Sequence, residues 1–258
     1  MVVLKSLIYI ILPGIIFCTE NIKAISGQNS INDLQVIPAH IKVGTFFNGK
    51  QIVVKAEIPN CSGVIVKLVG KDEDIVLNKK GKKAFIWLNV ASVNAKYVPS
   101  IYILACSDNL NEICSNAEQE KELLGYNSLK GKVVFESNNE LSGTEFNELI
   151  KFKEHNGYYC INNNTSINSA SDQKQILTAT LDIPSFISEG NYSVVVYCFQ
   201  DRNLLDKAVA NLSAEKVGLP LFITNLSKNS PALYGILAII VALIAGSIIG
   251  LIFIKKKD

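Results

Sequence analysis

Between Ile41 and Cys106 apolar and polar positions alternate in short runs broken by turn residues. "QIVVKAEI" (Gln51 to Ile58), "GVIVKLVG" (Gly63 to Gly70), "DIVLN" (Asp74 to Asn78), "AFIWLNV" (Ala84 to Val90) and "SIYILAC" (Ser100 to Cys106) are each of strand length. Their Val, Ile and aromatic residues fit a pleated, half-buried surface, and strands at this spacing predict a sandwich. "NKKGKK" (Asn78 to Lys83) predicts a hairpin turn centred on Gly81.

From Asn109 to Asn156 the pattern changes to charged segments with apolar residues at helical spacing. Phe146, Leu149, Ile150 and Lys153 fall on one face of a predicted helix, with Ser142 or Thr144 as N-cap and Gly157 as its stop. "NEICSNAEQEKELLGY" predicts a second, less regular helix, and "NNNTSINSASD" (Asn162 to Asp172) a polar loop. Strand character returns in "QILTATLDIP", "NYSVVVYCFQD" and "LLDKAVANLSAEK", with Asp201-Arg202-Asn203 turning one strand into the next. Gly190 followed by Tyr192 at a strand start matches the tyrosine corner of immunoglobulin-like sandwiches. The expected fold is therefore mainly β, an immunoglobulin-like β-sandwich with a helical insertion over about 109–157.

The two ends of the chain carry a different pattern. Lys5 precedes an apolar run from Leu7 to Phe17 and polar residues follow, which predicts a secretory signal peptide over 1–18. From Ala232 to Ile254 there is no charge. About 23 residues at 1.5 Å each exceed a hydrocarbon core of roughly 30 Å, so 232–254 predicts a transmembrane helix. Lys255, Lys256 and Lys257 follow it, and basic flanks stay on the cytoplasmic side. Residues 19–230 are then a single exported domain and 255–258 a cytoplasmic tail.

Composition narrows the chemistry. A net charge of +2 gives no nucleic-acid signature. His40 and His155 are the only histidines and no H-E-x-x-H spacing, G-x-S-x-G or P-loop occurs, so neither an enzyme nor a metal or cofactor site is expected. In an oxidising compartment Cys106 with Cys114, and Cys160 with Cys198, are candidate disulfides, with Cys61 as the fifth thiol left after Cys18. Lys79, Lys80, Lys82 and Lys83 are a candidate contact for an anion or lipid head groups. Ala238, Ala242, Gly246 and Gly250 recur every fourth residue, a small-residue stripe suited to packing against another membrane helix or a second copy.

Taken together, "AFIWLNV", "YVPSIYILACS", "IPSFISEGNYSVVVYCFQD" and "KVGLPLFITNLSKNSPALYGILAIIVALIAGSIIG" are similar in order and spacing to a family of alphaproteobacterial transmembrane proteins of unknown function. The resemblance runs from about Ile41 to Lys256. It implies an inner-membrane protein with a periplasmic domain, an accessory of a permease of the sulfite-exporter type, and brings no catalytic residues. The cysteines and the Asn-, Ile- and Lys-rich composition depart from the family pattern. The function expected on these grounds is a non-enzymatic interaction subunit of a transporter. The alternative is a periplasmic module that binds or senses a small anion.

Overall fold

The computed structural model describes residues 30–255, apart from 84, 138–140, 142 and 172–173. The expected signal peptide and the last three residues of the tail lie outside that range. In chain order the elements begin with β1 (Asn32–Ile37), β2 (His40–Val43), β3 (Lys50–Pro59), β4 (Gly63–Val69), β5 (Asp72–Lys83), β6 (Ile86–Pro99) and β7 (Tyr102–Cys106). A mixed segment follows, with α1 (Leu110–Ile113), α2 (Asn116–Glu122), α3 (Tyr126–Lys132), β8 (Val134–Ser137) and α4 (Glu145–His155). The chain then runs β9 (Tyr159–Asn162), β10 (Thr165–Ser171), β11 (Lys174–Ile183), β12 (Gly190–Gln200), β13 (Asn203–Lys216), α5 (Leu219–Asn229) and α6 (Pro231–Lys255).

Two sheets form the body, one ordered β1-β3-β11-β10 and the other β2-β13-β12-β4-β7-β9. Alternate residues of β3 (Ile52, Val54, Ala56, Ile58) and β11 (Leu177, Ala179, Leu181, Ile183) meet Val64, Val66 and Leu68 of β4 and Val194, Val196 and Cys198 of β12 in one buried layer. Strands from both halves of the chain thus share each sheet, and the helical segment is an insertion between them. The second face of the six-stranded sheet is covered as well. Ile65, Leu104, Tyr197 and Phe199 pack there against Ile113, Leu124, Leu129, Phe146, Leu149 and Ile150 of the helices. This double cover explains why β4 and β7 read as continuous apolar runs rather than as alternation.

The chain differs from its sequence-based reading in several places, the strands β1, β8 and β9 among them. The insertion holds three short helices before β8 where one irregular helix was expected, because Asn109 and Ser115 each cap a new start with a side-chain oxygen. Residues 165–171 form β10, paired with β11, although their polar composition predicted a loop. An edge strand needs only one apolar face, and here Ile167 supplies contact with the core. Gly81 does not turn the hairpin. It pairs with Leu88 inside the ladder, and the pairing continues to Lys83 opposite Ile86, so the turn lies beyond Lys83. There Phe85 takes a left-handed φ of 69°. Finally, α5 forms in a stretch that carried no prediction.

Other expectations hold. The buried residues of α4 are Phe146, Leu149, Ile150 and Lys153. Gly157 at φ 72° ends the helix, with Tyr158 N–H donating to Lys153 O and Gly157 N–H to Glu154 O, both at 2.9 Å. Thr144 sits at the N-cap but makes no capping bond through its hydroxyl. Asp201 and Arg202, at φ 50° and 66°, turn β12 into β13. Tyr192 Oη donates to Ser188 O at 2.6 Å.

Candidate functional site

Strands β5 and β6 are 12 and 14 residues long and leave the body as a third sheet. β8 pairs only with Val93 to Lys96. Beyond that point the two strands pair with each other, through Lys83 opposite Ile86. The result is a two-stranded arm. The backbones of Lys79, Lys80, Lys82 and Lys83 lie in its outer half. The side chains of these lysines lie outside the described part of the structure. Phe85, at the turn, is 92% exposed.

At the root of the arm a cleft opens between β5 and α4. One compartment, of about 370 Å³, is lined by Glu73, Ser100, Lys153, Tyr158 and Tyr192 among others. A second, of about 510 Å³, is lined by Val76, Leu77, Val93, Glu148 and neighbours. Ile75, Val76 and Phe152 line both. Lys153 closes the floor. It lies on the buried face of α4, 2% exposed, and its ammonium donates to Glu73 Oε1 at 2.6 Å and to Ser100 O at 3.3 Å. The same Nζ lies 5.2 Å from the ring centre of Tyr158 and 5.6 Å from that of Tyr159. A buried cation with one carboxylate, one carbonyl and two ring faces is fully occupied. It bolts helix to arm. Burial raises the pKa of the nearby Tyr192 phenol to about 12, and that of Tyr159 beyond the usual range, so both stay neutral donors.

On the helix-covered face of the large sheet, Lys67 of β4 is 8% exposed. Its ammonium donates to the Glu122 carbonyl and lies 5.1 Å from the Tyr197 ring centre. Burial lowers its pKa to about 8, against the opposing pull of Glu122. The adjacent Tyr102 hydroxyl donates to Leu123 O at 2.9 Å and accepts from Gly125 N–H at 2.7 Å, which fixes the link between α2 and α3. Sequence patterning missed both groups, because neither lies in a motif. The one available signal was a lysine inside the apolar run "GVIVKLV".

The five described cysteines are all free thiols. Cys198 and Cys106 stand opposite successive residues of β4, Val64 and Ile65, and so face opposite sides of the sheet. Cys106 shares its buried cluster with Cys114, its candidate disulfide partner, both as free thiols, and burial raises the two pKa values to about 12 and about 11. Cys198 meets Cys61 rather than Cys160. A hydrogen bond between those two thiols lowers the pKa of Cys61 and raises that of Cys198. Cys160 lies on β9, three strands away from β12 in the order β12-β4-β7-β9. Three spacings of about 4.8 Å exceed what a disulfide spans. Among the described residues no group of three or more His, Cys, Asp or Glu side chains is placed to hold a metal ion.

The last element is α6. Over Pro231–Gly250 its mean hydropathy is 2.6 and no part of that window is buried. Its 25 residues make a rod of about 37 Å, longer than a hydrocarbon core. Ala238, Ala242, Gly246 and Gly250 all lie exposed along it, and a Cβ added at Gly246 or Gly250 would meet nothing within 4 Å. The expected transmembrane helix is thus present, one residue longer at each end than predicted.

A mainly β domain joined to one apolar helix of membrane-crossing length defines a membrane protein with a large domain outside the bilayer. The chain belongs to the family described as "Putative transmembrane protein (Alph_Pro_TM)", whose model matches residues 33–255. No curated protein and no solved structure matches it.

Proposed function

We propose that the protein is a non-enzymatic, single-pass interaction subunit whose β domain and membrane helix together engage a second membrane protein. The observation that carries this reading is the β5–β6 arm. An isolated two-stranded ribbon is marginally stable in water, so a ribbon that outruns its third strand gains little for the domain's own core and offers a surface to something else. The arm, the cleft at its root and the small-residue stripe on α6 are separate from the buried core that holds the fold. Each is suited to contact, and none gathers a nucleophile with a base.

In this reading the β domain lies in the periplasm, α6 crosses the inner membrane, and the basic end of the chain stays inside. The resemblance to proteins found beside permeases makes a transporter of the sulfite-exporter type the favoured partner. The two packed sheets are read as an immunoglobulin-like sandwich, supported by the tie of Tyr192 back to Ser188. The lysines belong to the contact surface of the arm.

The test is purification of the tagged protein from its native membranes in mild detergent, beside two variants. One carries Gly246→Leu and Gly250→Leu, the other Lys79, Lys80, Lys82 and Lys83 all changed to Gln. Recovery of a polytopic permease with the wild type, and its loss with either variant, is the expected result. Recovery of the protein alone in every case would sink the proposal. Tight binding of sulfite or sulfate to the full-length protein, lost with the Gln variant, would favour the anion module instead.

A further inference from the structure

Helix α5 has no place in the reading above. Its 11 residues follow β13 after a short link and end at Asn229, with Ser230 alone between it and α6. No residue of α5 is buried. Leu219, Phe222 and Ile223 are 54%, 54% and 41% exposed. With Leu226 they occupy positions i, i+3, i+4 and i+7, one stripe of the helix. Lys228, Thr224 and Asn225 lie on the other side, where Leu221, 38% exposed, is the one large apolar residue. An apolar stripe of this kind in water needs a cover.

Three features of the structure say what covers it. Ser230, at φ −144° and ψ 68°, breaks the helix, so α5 does not simply prolong the membrane rod. The break fixes its depth: one residue separates α5 from the first residue of the apolar span, which places it at the level where α6 leaves the bilayer. Its orientation about its own axis is fixed too. Lys216 Nζ, at the end of β13, donates to Thr224 Oγ1 at 3.3 Å, so the polar side turns toward the β domain. Thr224 lies roughly opposite the centre of the apolar stripe at 100° per residue, and the stripe therefore points away from that domain.

We propose that α5 is an interfacial helix, lying along the membrane surface with Leu219, Phe222, Ile223 and Leu226 set into the boundary between head groups and acyl chains. The occupant of the stripe is lipid, continuous with the lipid around α6. Such helices bury their apolar face about 5–10 Å into that boundary. The helix then does what a flexible tether cannot: it holds the end of β13, and with it the six-stranded sheet, at a set height and tilt above the bilayer. The inference requires only that α6 spans the membrane and does not depend on the identity of any partner.

The experiment uses full-length protein in phosphatidylcholine vesicles. Trp87, the only native tryptophan, is replaced by Phe, and a single Trp is introduced as Phe222→Trp or as Lys228→Trp. Lipids brominated near the top of the acyl chain should quench Trp at 222 at least about twofold more than at 228, as the shallow burial of such a face requires. Ile223→Trp, on the same stripe, provides a second reporter should Phe222→Trp fail to fold, and should behave as 222 does. Equal quenching at the two faces would overturn the proposal. So would a Trp at 222 or 223 shielded both from brominated lipid and from aqueous iodide, which would show that protein, either the β domain or a second copy, covers the stripe.

Discussion

At the centre of the six-stranded sheet β4 and β7 are short apolar strands of 7 and 5 residues, whereas β5 and β6 of the arm are 12 and 14 residues long and β5 ends in "KKGKK". β4 and β7 are covered on both faces and nearly every side chain is buried. The backbone of the outer arm pairs only within the ribbon. β4 and β7 are each hydrogen-bonded on both edges, so the two regions differ in pairing as well as in burial: what fixes a strand in this protein is what lies beside it and what lies above and below it.

The largest test of that contrast is truncation. Leu104→Ala, at a fully buried position, should cost about 4 kcal/mol, from lost transfer energy plus a cavity. Phe85→Gly at the arm tip should change stability by less than about 1 kcal/mol, since any lost contact is offset by relief of a left-handed φ. Thermal melts of the detergent-solubilised protein decide it, and equal losses would break the comparison.

The join between the regions predicts an asymmetry. Glu73→Ala leaves the Lys153 ammonium buried, its side chain 3% exposed, with only a carbonyl and ring faces, and should cost about 3 kcal/mol. Lys153→Met leaves behind a carboxylate 41% exposed, which water can solvate, and should cost about 1 kcal/mol. Denaturant melts of the two variants should rank in that order.

A smaller effect comes from Lys67. Its folded pKa, about 8, is below its ordinary value of 10.5, so between those pH values the unfolded chain holds more protons and stability rises with pH. The gain of wild type over Lys67→Met across that window should be about 2 kcal/mol. The buried thiols act oppositely. Cys106 and Cys114 have raised pKa values, so their contribution is complete below about 9 and is lost as pH climbs toward 11 and 12. The wild-type curve alone therefore mixes both, and the difference between wild type and Lys67→Met isolates the lysine.

The smallest test is kinetic. Of the five described thiols Cys160 is the one not buried. Under reducing conditions near neutral pH it should alkylate first in the native protein, the other four following only as the core opens. Faster labelling of Cys106 or Cys198 would mean that the central sheet is less closed than its packing shows.

Much of the fold was legible in the chain because periodicity reports local burial. The stripe of α4, its stop at Gly157, the β12–β13 turn and the tie of Tyr192 could all be read from spacing. The arm's turn could not, since Gly81 is a good turn residue and only pairing with β6 moves the tip beyond Lys83. β10 was hidden because an edge strand tolerates polar residues. The stripe of α5 was present at helical spacing but is short, and it was masked by Pro220 and by the stronger signal of the membrane helix beside it.

The mainly β class, the helical interruption and the membrane span are written in the local pattern of the chain, because each follows from how apolar residues repeat over about a dozen to two dozen positions. Tertiary packing set which thiols meet, where Lys153 and Lys67 find their partners, and how far the arm extends past its support. Lys67 with Glu122, Lys153 with Glu73, and Cys61 with Cys198 are 55, 80 and 137 positions apart. No local pattern encodes such distances; they are set when the strands of two sheets choose their order and register.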